Sequence, residues 1–270
     1  FIGSRDLDFI STHGHTTIHL PKTKTNFQLG CGATLAALTK KPVVCDFRSL
    51  DIALGGQGAP LVPIGDKMLF SDCDAFLNIG GFVNISFIRE KICAYDICPA
   101  NFALNYYARI LGFDFDKDGN IGASGKVEEN LLKELNNLEY YKQQPPKSLA
   151  DHWFYESFNS IIERYDIDFD DVLATIYEHI STQVANELNN KNAKKVTITG
   201  GGAYNKFLIK KIIEKTQAKV VIPNHTIVEY KEALIFAFLG VLRWLNQTNC
   251  LADVTGAEYD NIGGAIYIGN

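Results

Sequence analysis

The run VTITGGGAYNKFLIKKIIEK places Gly200, Gly201 and Gly202 between a β-branched stretch, Val196 to Thr199, and a helix-like segment. Glycine accepts positive φ and lets a ligand approach the backbone closely. A helix start presents unpaired N–H groups and a partial positive charge. Strand, glycine turn and helix in that order can therefore hold a phosphate or nucleotide. The same run also reads as a plain tight turn, because neither G-x-G-x-x-G nor G-x-x-x-x-G-K-[ST] is present. A second pair, Gly80-Gly81 in NIGGFVNIS, sits between two apolar arms. It is expected to turn a β-hairpin, and its amides can also face a phosphate.

Asp96 ends the apolar run ICAYD, ahead of Pro99 and Asn101. A carboxylate at a strand's carboxyl end points to where α/β sheets bind ligands; alternatively it caps the helix that follows. In DFRSLDIALGGQGAPLVP, Asp46, Arg48, Asp51 and Gln57 crowd a glycine-rich loop. Arg and Gln there could bond sugar hydroxyls or a carboxylate, or the loop could be solvated with local ion pairs. Glu232 opens the apolar helix EALIFAFLG, either as a first-turn carboxylate meeting the helix dipole or facing a cleft. His13, His15 and His19 have no neighbouring Cys or Glu to complete a zinc site. FDKDGNIGASG resembles the start of a calcium loop, but position twelve is Gly125 where a bidentate Glu is required. No metal-ligating set is assigned.

The elements that must carry these residues can be read from periodicity. THGHTTIHLP and DIALGGQGAPLVP are expected to be loops, KPVVCDF a buried strand, and AFLNIGGFVNISFI a hairpin. FDKDGNIGASG reads as a polar loop, and Asn101 to Leu111 as a helix. Val172, Ile176, Ile180, Val184 and Leu188 recur every four residues, which predicts a long amphipathic helix. Strand 196–199, helix 204–216, strand KVVIP and a helix from Glu229 to Leu245 follow. Strands first as a hairpin, then alternating with helices, predict an α/β fold with mixed sheets.

A chain of 270 residues, 46% hydrophobic, can bury one large or two moderate cores. Net charge −5 and a pI near 5.7 argue against nucleic acid as a main partner. No apolar stretch reaches the ~18–20 residues of a membrane span, and no signal peptide is recognised. The six cysteines form no CxxC pair and fall in apolar segments, which points to small buried thiols in a reduced, cytoplasmic protein.

Taken together, THGHTTIHLP, VVCDFRSLDIALGGQGAPLVP, LNIGGFVNIS, YDICPAN, FDKDGNIGASG, PPKS, TITGGGAYN, EALIFAFLG and VTGA resemble, in order, the anhydro-N-acetylmuramic acid kinase family. The resemblance covers nearly the whole chain. It implies the sugar kinase/Hsc70/actin fold, two lobes of ribonuclease-H-like topology. Here residues 1–72 would be the remainder of the first lobe, with the sugar-site loops. Residues 73–270 would be the second lobe, with the phosphate hairpin and adenosine motif. The implied activity is ATP- and Mg2+-dependent: water opens the 1,6-anhydro ring, O6 takes the γ-phosphoryl group, and N-acetylmuramic acid 6-phosphate results, a step of cell-wall recycling. By match of motifs, Asp96 is the catalytic base. Gly80, Gly81 and Asn84 face phosphate; Gly200, Gly201, Gly202 and Asn205 belong to the adenosine site. His13, Asp46, Arg48, Gln57 and Gly58 lie in the sugar site, and Glu232 matches a cleft glutamate. The family also suggests a homodimer.

Several positions depart from the family pattern. His15 stands for the usual Gln and Cys98 for a Gly, and Leu149-Ala150-Asp151-His152 follows PPKS in place of Thr-Gly-Arg-Glu. The family's opening G-T-[SM]-x-D-G phosphate loop is not among these residues, so this chain by itself is expected to transfer phosphate negligibly. Two other readings stay open: a non-catalytic sugar- or nucleotide-binding remnant, and a kinase for another amino sugar.

Overall fold

A computed structural model describes residues 6–70, 72–89 and 92–269. Among these the strands run in chain order as β1 (Ile10–Ser11), β2 (His15–Leu20), β3 (Thr25–Leu29), β4 (Val43–Cys45), β5 (Ala75–Ile79), β6 (Phe82–Phe87), β7 (Cys93–Pro99), β8 (Lys195–Thr199), β9 (Lys219–Val221) and β10 (Ala265–Tyr267). The chain divides into two compact units, 72–229 and 1–71 with 230–270.

The 72–229 unit is built on a five-stranded sheet of order β7-β6-β5-β8-β9. β5, β6 and β7 are antiparallel neighbours, whereas β8 pairs parallel to β5 and β9 parallel to β8. This mixed arrangement is the ribonuclease-H-like topology. Gly80-Gly81 makes the short β5–β6 connection, as the two apolar arms predict. Pro99 is tolerated in β7 because that strand lies at the sheet edge, where no ladder donor is missed. The helix Phe169–Asn190 fills the expected amphipathic stretch and buries Val172, Ile176, Ile180, Val184 and Leu188 together with Leu77, Ile85, Val196 and Ile198 of the sheet.

In the other unit, β4 is central: β1 pairs with it in parallel and β10 antiparallel. Val44 and Phe47 pack with Leu61, Ile64, Ile235, Leu239 and Leu242. The segment from 230 on thus returns to the first unit, rather than extending the second as the 73–270 division has it. The physical reason is β10, whose only described ladder partner is β4. β2 and β3 form a separate hairpin with a bulge between Thr16 and Ile18.

Three stretches read as loops are ordered elements. HTTIHL of THGHTTIHLP is strand β2, paired antiparallel with β3. The stretch around GGQGAP carries helices Ser49–Ala53 and Val62–Leu69 on its two sides. FDKDGNIGASG contains the helix Asn120–Ser124, whose start is held by Asp116: its carboxylate accepts from the Ile121 and Gly122 N–H groups, both at 2.9 Å. Polar composition hid the last of these because side-chain-to-backbone bonds from Asp116, not apolar periodicity, hold its start. No described helix is long and apolar enough to cross a membrane.

The core of the 72–229 unit draws on β5, β6, β7 and β8. Ile198 in β8 is fully buried. Ile198→Ala is expected to destabilise the protein by ~2–5 kcal/mol through lost transfer energy and a residual cavity, read as a fall in the urea midpoint with unchanged m-value.

Candidate functional site

In the 72–229 unit the candidate glycines lie at the ends of β5 and β8, whereas Asp96 stands in the middle of β7 and not at its carboxyl end, because the strand runs on to Pro99. Asn84 and Asp96 are direct cross-strand partners on β6 and β7. Cross-strand register alone brings their side chains together, and the Asn84 amide donates to Asp96 Oδ1. Asp96 Oδ2 accepts the Leu149 N–H at 2.8 Å. The Asp96 main chain is held as well: its N–H donates to Lys147 O at 3.3 Å and its carbonyl accepts the Tyr140 hydroxyl at 2.6 Å. Asp96 does not cap the helix Asn101–Ile110, whose N-cap is Ala100 and carries no side-chain cap bond. Burial pushes the Asp96 carboxyl above the ordinary Asp range, against the opposing pull of the Leu149 and Asn84 bonds.

The glycines divide into two classes. Gly200 has φ +82°, and a Cβ there would lie 2.5 Å from Asn78 Oδ1 and 2.7 Å from Ile79 O. A Cβ on Gly202 would collide with Ile79 Cγ2 at 2.2 Å. These two are glycine because the fold has no room for anything else. At Gly80, Gly81 and Gly201 the nearest atoms to a Cβ are at 3.6, 3.8 and 3.6 Å, ordinary van der Waals distance. Internal packing does not demand glycine at these three, so a ligand can come close to the chain there without meeting a Cβ. The Gly80-Gly81 carbonyls are already engaged: Gly80 O accepts from Asn101 N, and Gly81 O from Ala100 N and Phe102 N.

Asn205 is committed to the turn. Its Oδ1 accepts from Leu208 N at 3.0 Å, capping the helix Lys206–Lys215, and its Nδ2 donates to the Tyr177 hydroxyl at 2.8 Å. Tyr177 in turn donates to Asp116 Oδ2 at 3.2 Å. Asn205 therefore shapes the segment after the triple glycine instead of presenting a free amide.

In the other unit, Asp51 is fully buried and organises the GGQGAP loop. Its Oδ2 accepts from Gly58 N at 2.7 Å; its Oδ1 accepts from Thr255 Oγ1 at 2.7 Å, Asn261 Nδ2 at 3.0 Å and Cys250 Sγ at 3.1 Å. Gly56 closes onto the same carboxylate, where a Cβ would lie 2.2 Å from Oδ2. Gln57 is exposed and its N–H donates to Thr255 O at 2.8 Å. Asp51 was legible only as one of several polar loop residues, and its burial is a tertiary fact.

Held by that loop, the Gly58 carbonyl accepts from Arg48 Nη1 at 2.5 Å, and Arg48 Nη2 donates to His13 Nε2 at 2.9 Å. That bond requires His13 to carry its proton on Nδ1. The His13 ring stacks on Phe236 at 3.9 Å between centroids. Burial, and then the Arg48 charge, push the His13 pKa down to about 4, so the ring is neutral near pH 7. His13 Nδ1 and Arg48 Nε are buried without a hydrogen-bond partner in the protein. Two such donors in one place suit an acceptor-bearing ligand. Glu232 lies close enough to Arg48 to raise its pKa, opposing the larger, lowering effect of burial. It is not in the first turn of its helix, which begins at His225. Asp46 adopts φ +55°, uncommon for a non-glycine, and accepts from Ser49 Oγ at 2.6 Å.

The chain matches the anhydro-N-acetylmuramic acid kinase family over residues 2–269. It is 33% identical to the anhydro-N-acetylmuramic acid kinase of Sulfurimonas denitrificans, covering 96% of this chain and 75% of the relative. It is 35% identical to that of Francisella tularensis subsp. novicida, covering 97% and 75%. The chain belongs to the anhydro-N-acetylmuramic acid kinase family. Among solved structures, component A of (R)-2-hydroxyglutaryl-CoA dehydratase from Acidaminococcus fermentans superposes with a TM-score of 0.42 at 17% identity, over 64% of this chain and 63% of that one. That likeness is too slight to add to the strand topology. The family is one of amino sugar kinases, and ATP is the nucleotide it implies.

Of the family-matched residues, Asn84 and Asp96 are in contact, Gly80 and Gly81 adjoin the strands that carry them, and His13, Arg48, Gly58 and Glu232 form one cluster. No other member of either group touches Gln57 or Asp46 through a bond described here. Tyr140, Lys147 and Leu149, which hold Asp96, were not singled out as site residues, and Asp51, which holds Gly58, was read only as one of the polar residues crowding its loop. The PPKS match was the one available signal for the first group.

The glycine classes predict different tolerance. Gly200→Ala is expected to cost at least ~1–2 kcal/mol, because an alanine must adopt positive φ against backbone. Gly201→Ala is expected to stay within ~0.5 kcal/mol of the parent, as ordinary surface changes do. Urea unfolding of the two variants side by side tests the division.

Proposed function

We propose that the protein is an anhydro-N-acetylmuramic acid kinase in which Asp96 is the general base. The observation that carries this reading is the Asp96 carboxylate itself. It is partly buried, raised in pKa and oriented by two donors, in a family whose reaction needs a water activated for attack. The water attacks the anomeric carbon of the anhydro sugar and gives its proton to Asp96. The C1–O6 bond breaks, and O6 takes the γ-phosphoryl group of ATP, leaving ADP. Phosphoryl transfer is mainly positioning and charge stabilisation, so the protein's contribution is geometry.

The open faces of Gly80, Gly81 and Gly201 support assigning them to the phosphates and adenosine of ATP, which can approach the backbone there without a Cβ between; the Gly80 N–H itself donates to Phe82 O at 3.2 Å. Gly200, Gly202 and Asn205 support that surface from behind. Arg48 and His13, with their unpartnered donors, and Glu232, Gln57, Gly58 and Asp46 are assigned to the amino sugar. Among the described residues no group of three or more His, Cys, Asp or Glu converges on a metal position. Mg2+ entering with ATP takes much of its oxygen shell from phosphate and water, so no residue is assigned to it. A homodimer and a cytoplasmic location belong to the same proposal. The chain spans about three-quarters of the length of its relatives.

Coupled ADP release with anhydro-N-acetylmuramic acid, N-acetylmuramic acid and N-acetylglucosamine tests the substrate; preference for either free sugar overturns it. Asp96→Asn is expected to lower kcat by ~10²–10⁴, the usual range for a lost general base, with KM for ATP near normal. Near-normal turnover would remove Asp96 from the mechanism. In the parent, kcat/KM should fall as pH drops through the Asp96 pKa, which lies above the ordinary 3.8 because burial disfavours the charge. The groups bonded to that carboxylate are the Asn84 amide and the Leu149 N–H, and Cys98 and Tyr140 lie close enough to feel its charge.

A further inference from the structure

Residues 143–150 form neither helix nor strand, yet they supply the Leu149 N–H that orients Asp96 Oδ2 and the Lys147 carbonyl that accepts the Asp96 N–H. A segment without regular structure cannot hold two such bonds in place by its own ladder. Its anchor is the side chain of Lys147. This side chain is only 4% exposed and reaches inward, with Nζ 5.4 Å from the Tyr95 ring centroid and 5.0 Å from that of Tyr140. Beyond the rings it meets Glu187 Oε1 at 3.7 Å. Glu187 stands on the long helix Phe169–Asn190 and accepts the Tyr95 hydroxyl on Oε2 at 2.8 Å. Tyr140 closes the circuit through its hydroxyl on the Asp96 carbonyl. A buried ammonium between two aromatic faces and a carboxylate is held in place far more firmly than an exposed lysine.

We propose that Lys147 and Glu187 are positioning residues, whose pairing pins the 145–149 segment so that the Leu149 amide stays on the Asp96 carboxylate. Its catalytic consequence rests on Asp96 being the base, but the positioning itself does not. Removing the anchor frees the segment, Asp96 Oδ2 loses a donor to its charged form, and the carboxyl titrates higher.

The test is a carbon-13 NMR titration of the Asp96 carboxyl in this chain, assigned by Asp96→Asn, for the parent and for the Lys147→Met and Glu187→Gln variants. It needs no turnover, so failure of the base assignment and failure of the anchor are read separately. Positioning predicts that both variants raise the Asp96 pKa by about one unit, the size of a lost charge-assisted bond. Simple charge attraction predicts opposite signs, because Lys147→Met removes a cation and Glu187→Gln an anion. A rise in Glu187→Gln with the fold intact supports the anchor; a fall, or no change, in Glu187→Gln overturns it. Should Lys147→Met fail to fold, Glu187→Gln decides alone, since Gln keeps an acceptor for the Tyr95 hydroxyl.

Discussion

The Asp96 carboxylate is the constraint around which the 72–229 unit is arranged. It is a charge moved part-way out of water, which is tolerated only where donors replace the lost hydration. One donor comes from the facing strand, through the Asn84–Asp96 register pair. The other comes from a segment more than fifty residues further along the chain. The first requires the β5–β6 hairpin to turn at Gly80-Gly81 without slipping, because a one-residue slip would carry Asn84 to the opposite face. The second requires an irregular segment to be fastened from beneath. Sheet register, glycine turn and buried lysine thus serve one carboxylate.

The other unit solves a similar problem with a fully buried carboxylate. Asp51 is held by backbone and side-chain donors drawn from Gly58, Thr255, Asn261 and Cys250. Three of these come from the 230–270 segment, whose β10 also pairs with β4. The GGQGAP loop is therefore shaped by residues almost two hundred positions away. The Gly58 carbonyl that it presents sets Arg48, and Arg48 sets the tautomer of His13. Each link is a directional hydrogen bond in a poorly solvated place, where an unmade bond is costly.

Cys98 illustrates how a departure from a family pattern is absorbed. It lies fully buried in β7 among the core residues, and burial holds its thiol well above the usual range. The added side chain faces the core, so it fills apolar space and stays chemically quiet. The buried His179 is similar: it bonds to Tyr141 and Asn136 and is kept neutral by burial, its pKa pushed down to about 3.

The amino-acid sequence by itself determined the elements whose signal is local. These are the β5–β6 hairpin, from two apolar arms around Gly-Gly, and the long helix Phe169–Asn190, from a four-residue apolar repeat. Its motifs also determined the family. Elements defined by side-chain bonds to backbone, such as the helix after Asp116, were read as loops because those bonds leave no apolar period. Only the tertiary structure decided which glycines the fold itself requires, since Gly200 and Gly201 are neighbours of one type and differ in backbone φ and in what a Cβ would strike. It alone showed that 230–270 belongs with β4, and that Lys147, Leu149 and Asp51 hold the groups recognised from motifs. The reason is common to all of these. Collision, burial and hydrogen-bond pairing are relations between residues distant in the chain, and no local pattern encodes them.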